Sequence, residues 1–165
     1  MISQDRIYAF IDWCDATFIS QTIQQSLWLF PVIESVHLLG LALLGGAVLV
    51  MDARLLNLGL TRQSVEAVAR MTWRWLLLGI ALMLATGIPL FLSETEKLYN
   101  SDSFWVKMYA LGFILLLTFT LKRRFLFGGT QGESVRLGWY GGLLGGVSMS
   151  AWFVVAAAGR WVGFS

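Results

Sequence analysis

The stretch that decides the fold runs from Trp28 to Arg54 and reads WLFPVIESVHLLGLALLGGAVLVMDAR. A helix needs about 20 apolar residues to cross a bilayer core, so this run is long enough to span. Glu34 and the chain's one histidine, His37, lie inside it. Because ionisable groups are costly in a membrane, both residues are candidates for a functional site.

One face of this predicted helix carries the residues of interest. At about 100° per residue, six positions fall within about a quarter turn on either side of one line. They are Glu34, His37, Leu41, Gly45, Val48 and Asp52. We expect this stripe to face protein rather than lipid.

The composition sets the class of protein. Of the 165 residues, 57% are hydrophobic and 13% are charged, and the mean hydropathy of +0.69 lies outside the range of soluble globular proteins. The apolar runs are continuous rather than alternating, which favours helices over a β-barrel. We therefore predict an all-α polytopic protein, with residues 1–165 forming a single membrane domain in the lipid bilayer. The net charge of +2 is too small to indicate a nucleic-acid partner.

The N-terminal region has a different pattern. Residues 3–25 repeat apolar side chains every three or four positions but carry too many charges to span, which predicts an amphipathic interfacial helix broken near Ser20. The beginning, MISQDRIYAF, lacks the pattern of a signal peptide, so we expect the first residues to be retained. With Cys14 as the one cysteine, an intrachain disulfide is excluded, and a cysteine-based metal cluster is not expected.

Four spanning helices are predicted, at residues 27–56, 73–92, 104–121 and 137–158. Between the first two, TRQSVEAVAR predicts a short amphipathic helix with Thr61 or Ser64 as its N-cap. Pro89 predicts a kink near the end of the second span. Two series of glycines recur at every fourth residue of the fourth span, Gly138, Gly142 and Gly146 together with Gly141 and Gly145, a spacing that lets helices of one chain or of two chains pack closely.

Basic residues predict the orientation. Eight of them flank the first and third connections, against four on the other side; the eight are Arg54, Arg62, Arg70, Arg74, Lys122, Arg123, Arg124 and Arg136. Because cytoplasmic loops are enriched in Lys and Arg, these two connections are expected to be cytoplasmic and both termini periplasmic. The expected location is a bacterial inner membrane.

Several segments carry a family resemblance. FPVIESVHLLGLALLGGAVLVMDARLLNLGL, TGIPLFLSE and SFWVKMYAL resemble an uncharacterised family of small four-helix bacterial inner-membrane proteins. That family is distantly similar in design to the membrane domain of copper-resistance protein D. The discriminating residues are Glu34, His37, Gly40, Asp52, Arg54, Gly87 and Lys107. The resemblance implies the four-span architecture. In the copper-resistance relatives several histidines and methionines are associated with metal passage, whereas this chain has one histidine.

The Glu34–His37 pair has the spacing E-x-x-H, which places a carboxylate and an imidazole on adjacent turns of a helix. Two such motifs from facing helices form di-iron sites in bundles. Because this chain has one copy of the E-x-x-H motif, a complete di-iron site requires at least two chains. The alternatives are a structural hydrogen-bonded pair of Glu34 with His37 or a lysine, and proton handling.

If His37 is a ligand, the group that it binds is either haem b or a transition metal ion. Imidazole is a common axial ligand, and an apolar helical bundle suits the flat macrocycle. The alternative to haem is a copper, iron or zinc ion bound by Glu34 and His37 from several subunits. Met83 and Met149 lie mid-span and are possible soft ligands, although packing is the more common role of such methionines.

Three further charged residues are candidates for an ion pair or a path. Lys107 is placed at a depth similar to that of Glu34, where it either forms an ion pair with Glu34 or extends to the headgroups. Asp52 lies about 27 Å from Glu34 by helix rise, too far to share one metal site. We expect Asp52 and Arg54 to pair with each other or with Arg74 as anchors at the cytoplasmic rim.

Three functions remain open on the sequence. The first is an oligomeric membrane protein, a dimer or trimer, that binds haem or a transition metal near the outer leaflet through Glu34 and His37 and serves electron transfer or metal handling. The second is a proton- or ion-coupled transporter or channel subunit that uses Glu34, His37 and Lys107. The third is a purely structural membrane partner.

Overall fold

The computed structural model describes residues 2–122 and 138–162, and every regular element in these ranges is a helix. Four of the helices are long and apolar enough to cross a membrane: Leu29–Leu55, Val65–Ser93, Asp102–Thr120 and Trp139–Trp161. The predicted all-α architecture with four spanning helices is confirmed. Arg123, Arg124 and Arg136 of the predicted basic connection lie outside the described residues.

Two short helices precede the first span, α1 at Ile2–Asp15 and α2 at Phe18–Gln24. They separate at Thr17 rather than near Ser20, because Thr17 is extended and its side chain accepts a hydrogen bond from the Ser20 amide at 3.3 Å. The same hydroxyl donates to the Cys14 carbonyl at 2.7 Å. Cys14 is fully buried, which is the packing role of a small apolar side chain.

The first two spans are α3 at Leu29–Leu55 and α4 at Val65–Ser93. The short amphipathic helix predicted before the second span is the beginning of α4 itself. Ser64 is its N-cap and accepts from the Ala67 amide at 3.1 Å. α4 therefore begins with polar turns, well before residue 73, where the apolar run predicted its start. Pro89 lies inside the helix.

The second half consists of α5 at Thr95–Tyr99, α6 at Asp102–Leu117 and α7 at Gly138–Val162. Ser101 caps α6 by accepting from the Phe104 amide at 3.4 Å. After Leu117 the chain makes a π-helical turn over Thr118–Lys122, whose wider winding was not predicted by the sequence. Thr118, at the start of this turn, is fully buried.

Glycines permit the close contacts that hold the four spans together. A Cβ on Gly79 of α4 would lie 2.8 Å from the Leu44 Cβ of α3. Gly45 of α3 lies directly under the indole of Trp152 in α7, and a Cβ on Gly145 would lie 3.1 Å from the Asp52 carbonyl oxygen. Gly145 of the predicted glycine series is thus used inside the chain, one of the two alternatives that the sequence left open, whereas a Cβ on Gly142 would meet nothing within 4 Å.

The apolar core lies in the middle of the bundle. It contains buried side chains from all four spans: Leu44, Ala47, Val48, Leu76, Met83, Ile114, Trp152 and Val155. Polar side chains lie beyond this layer on either side, with His37 towards the beginning of α3 and the fully buried Asp52 towards its end. The core therefore separates the two ends of the predicted polar stripe.

Candidate functional site

His37 is held by a threonine of the neighbouring helix. Its Nδ1 atom lies 2.8 Å from Oγ1 of Thr86 in α4. The Thr86 hydroxyl donates its single proton to the Leu82 carbonyl at 2.6 Å, so towards the imidazole it acts as an acceptor. We assign the proton of the neutral imidazole to Nδ1 on this basis, which leaves the lone pair on Nε2.

That lone pair faces a lysine. Nζ of Lys107 in α6 lies 3.5 Å from Nε2 of His37, at the long limit for a hydrogen bond. An ammonium is a donor only, so Lys107 donates and the imidazole accepts. A continuous chain of hydrogen bonds therefore runs from Lys107 through His37 and Thr86 to the Leu82 carbonyl.

All four spanning helices meet at this cluster. A Cβ on Gly87 of α4 would lie 3.2 Å from Cε1 of His37, so the imidazole packs against the helix backbone. The aliphatic part of Lys107 passes over Gly159 of α7, whose added Cβ would lie 3.8 Å from the lysine Cε. The two glycines thus make room for the two basic side chains.

The cluster carries basic groups without a carboxylate beside them. Among the described residues, His37 is the one hydrogen-bond partner of Lys107, and no Asp or Glu lies within ion-pair distance of it. An ammonium has three N–H donors, so two of them remain available. In apolar surroundings such unsatisfied donors are costly, and a further acceptor would lower that cost.

Glu34 is not part of this cluster. Its side chain is exposed, and within residues 2–122 and 138–162 it has no hydrogen-bond or ion-pair partner. The Glu34–Lys107 ion pair, one of the two alternatives for Lys107, therefore does not form in the described chain, and neither does a Glu34–His37 hydrogen bond. His37, Leu41, Gly45, Val48 and Asp52 of the predicted stripe face the interior of the chain, whereas Glu34 is exposed on the surface of the single chain.

The other predicted residues lie away from His37 and Lys107. Asp52 is fully buried near the far end of α3. Arg54 donates to the Gln63 carbonyl and to Asn57 Oδ1, each at 2.8 Å, rather than to Asp52. Met83 is a buried core residue one helical turn from Thr86, and Met149 is half-buried in α7.

Two members of the cluster were missed by sequence reasoning. Thr86 begins the segment TGIPLFLSE but was not among the discriminating residues, and Gly159 lies outside the segments that carry the resemblance. Neither carries a charge, and a threonine in an apolar helix commonly bonds only to its own preceding turn. Within the part of the chain that the structure describes, no group of three or more His, Cys, Asp or Glu side chains is placed to hold a metal ion.

Residues 10–165 match the model of a family of unknown function, DUF6644. The match covers most of the chain, which therefore belongs to this family. No curated protein and no solved structure matches the chain.

Proposed function

We propose that this membrane protein is a proton- or ion-coupled transporter or channel subunit whose working groups are His37 and Lys107. The observation that supports the proposal is the contact of the Lys107 ammonium with the unprotonated Nε2 of His37. Two basic groups that share one hydrogen bond inside a bundle can exchange a proton. Its transfer from Nζ to Nε2 leaves a neutral amine and an imidazolium, while Nδ1–H stays bonded to Thr86.

The physical argument against a purely structural role is one of cost. A lysine and a histidine in a spanning segment are less favourable than apolar side chains of similar size. The bundle nevertheless accommodates both, with two glycines placed against them. The available N–H donors of Lys107 also suit a small anion or another acceptor that enters from the beginning of α3.

The proposed assembly is a homo-oligomer, a dimer or trimer. Glu34 supports it, because its exposed carboxylate lies in the first turns of an apolar spanning helix. Contact with a second copy would remove that carboxylate from lipid and allow it to serve as counterion for the shared ion path. The basic-residue count supports an orientation in a bacterial inner membrane with both termini periplasmic and the basic connections cytoplasmic.

Proton flux into vesicles tests the proposal. Purified protein is reconstituted with a pH-sensitive dye enclosed, and a potassium diffusion potential is applied. We expect flux above that of protein-free vesicles, at least tenfold lower for Lys107→Met and for His37→Gln. The matched control is Lys97→Met, which removes an exposed lysine of α5. Flux that is equal in all four proteins would contradict the proposal.

A second candidate function is supported by the tautomer of His37. A metal-ligating histidine commonly donates its other ring N–H to a fixed acceptor, and the Nδ1–Thr86 hydrogen bond is such an arrangement. Nε2 would then be the atom that holds haem b or a transition metal such as copper, iron or zinc, after Lys107 has moved aside. Bound haem would supply electron transfer, and a bound metal ion would serve metal handling.

The residues present fit this second candidate only in part. Nε2 of His37 supplies one ligand atom. The second ligand would have to come from Met83, from Met149 or from Glu34 of another copy. The resemblance in design to the membrane domain of copper-resistance protein D, which rests on the sequence segments alone, would favour this candidate. An absorption spectrum and elemental analysis of the purified protein decide it, since a Soret band or a stoichiometric metal lost in His37→Ala would support it. A colourless, metal-free preparation would exclude it.

A further inference from the structure

A cavity of about 280 Å³ lies between α1 and the helix ends that surround α5, separate from the His37 cluster. One wall is formed by α1, with Arg6, Ile7 and Phe10. The opposite wall is aromatic and consists of Phe91, Tyr99 and Trp105. The cavity therefore lies under the amphipathic N-terminal helix, at one end of the four-helix bundle.

The interior of this cavity is apolar because its polar groups are already bonded elsewhere. The Trp105 indole Nε1–H donates to the Tyr99 carbonyl at 3.0 Å, and the Thr95 hydroxyl donates to the Phe91 carbonyl at 2.8 Å. The aromatic wall is also fixed by its own contacts, since the Tyr99 and Trp105 rings lie edge to face at 6.1 Å. Such a preformed apolar space is suited to a hydrocarbon chain.

The rim of the cavity carries a cation. Arg6 is exposed, and it forms no hydrogen bond or ion pair with any residue of the described ranges. A guanidinium binds phosphate through two parallel hydrogen bonds. An occupant that satisfies both parts of this site needs an anionic phosphate head and an apolar tail.

The position of the cavity selects one such occupant. Side chains of α1 and α2 that are large and exposed include Tyr8, Phe10, Trp13 and Phe18, which is typical of a helix lying at headgroup level. We infer that the cavity binds an anionic phospholipid, with its phosphate on Arg6 and part of one acyl chain against Phe91 and Trp105. A cavity of this size takes a segment of one chain rather than the whole lipid.

The binding test compares two lipids that differ in head charge alone. Native mass spectrometry of the detergent-solubilised protein measures the lipids retained from equal amounts of phosphatidylglycerol and phosphatidylcholine with the same acyl chains. We expect the wild type to favour phosphatidylglycerol about fivefold, the effect of one basic residue near a lipid surface. Arg6→Gln should abolish this preference, and Arg6→Lys should restore part of it.

The matched control is Arg62→Gln, which removes an exposed arginine in the connection between α3 and α4. It should keep the wild-type preference. Equal retention of the two lipids by the wild type, or equal loss of the preference in Arg6→Gln and Arg62→Gln, would overturn the inference. Because Arg6 is exposed, its variants should keep the fold, and circular dichroism checks this.

Filling the cavity with a larger side chain gives a second test of lipid binding that does not depend on charge. Ile7→Trp places a large ring in the space and should lower retention of both lipids in proportion. Retention unchanged by Ile7→Trp, in a protein whose helix content is unchanged, would show that the lipid binds elsewhere and would overturn the inference too.

Discussion

Nζ of Lys107 and Nε2 of His37 lie 3.5 Å apart although the two residues are 70 positions apart in the sequence. This contact joins the first and third spans, while Thr86 and Gly159 bring in the other two. A site to which every spanning helix contributes responds to any shift of one helix against the others. That property is useful in a protein that couples ion passage to a conformational change.

Adjacent glycines in α3 give a test of the packing. A Cβ on Gly45 would overlap the Trp152 indole, whereas a Cβ on Gly46 meets nothing within 4 Å. We expect Gly45→Ala to lower the free energy of unfolding by about 1–3 kcal/mol through overpacking. Gly46→Ala should leave it unchanged or raise it by up to about 1 kcal/mol through helix propensity. Unfolding in mixed micelles measures both, and equal effects would contradict the described contact of α3 with α7.

Gly87 provides a test of the imidazole position. Its added Cβ would lie 3.2 Å from Cε1 of His37, so Gly87→Ala should displace the ring by a few tenths of an ångström and weaken its bond to Thr86. The expected results are a shifted imidazole nitrogen resonance and reduced proton flux. The control is Gly112→Ala in α6, where the added Cβ meets nothing within 4 Å. An imidazole resonance that is the same in both variants would place the ring elsewhere.

The exposed position of Glu34 predicts an interface between copies. In a Cys14→Ala background, a cysteine introduced by Glu34→Cys should form a disulfide-linked dimer in vesicles under mild oxidation. A cysteine introduced by Leu84→Cys, at an exposed site on α4, should crosslink much less. Gel electrophoresis without reductant measures the dimer fraction. Monomers alone at both positions would rule out a two-fold interface at Glu34.

The sequence predicted the spans well because each depends on one local property, a long apolar run. Boundaries were less predictable where a cap decides them. Thr17 ends one helix and begins another through a single hydroxyl, and Ser64 starts α4 before its apolar part. Neither event changes the mean hydropathy of its segment.

The sequence could identify individual candidate residues of the site, but not how they are arranged in space. Glu34 and His37 are three positions apart and so differ by about 60° around the helix, and the edge of the surface that the single chain buries passes between them. The sequence could not indicate on which side each one falls. Thr86 becomes relevant only through a tertiary contact 49 positions away from His37, which no local pattern encodes.

Nitrogen NMR of the single histidine tests the central claim most directly, because ¹⁵N-histidine labelling yields one imidazole in the whole chain. In lipid bilayers at neutral pH, we expect a neutral ring protonated at Nδ1, with an Nε2 resonance that moves in Lys107→Met but not in Lys97→Met. Thr86→Val should produce a mixture of the two tautomers. A ring protonated at Nε2 in the wild type, or an Nε2 resonance unaffected by Lys107→Met, would contradict the proposed His37–Lys107 site.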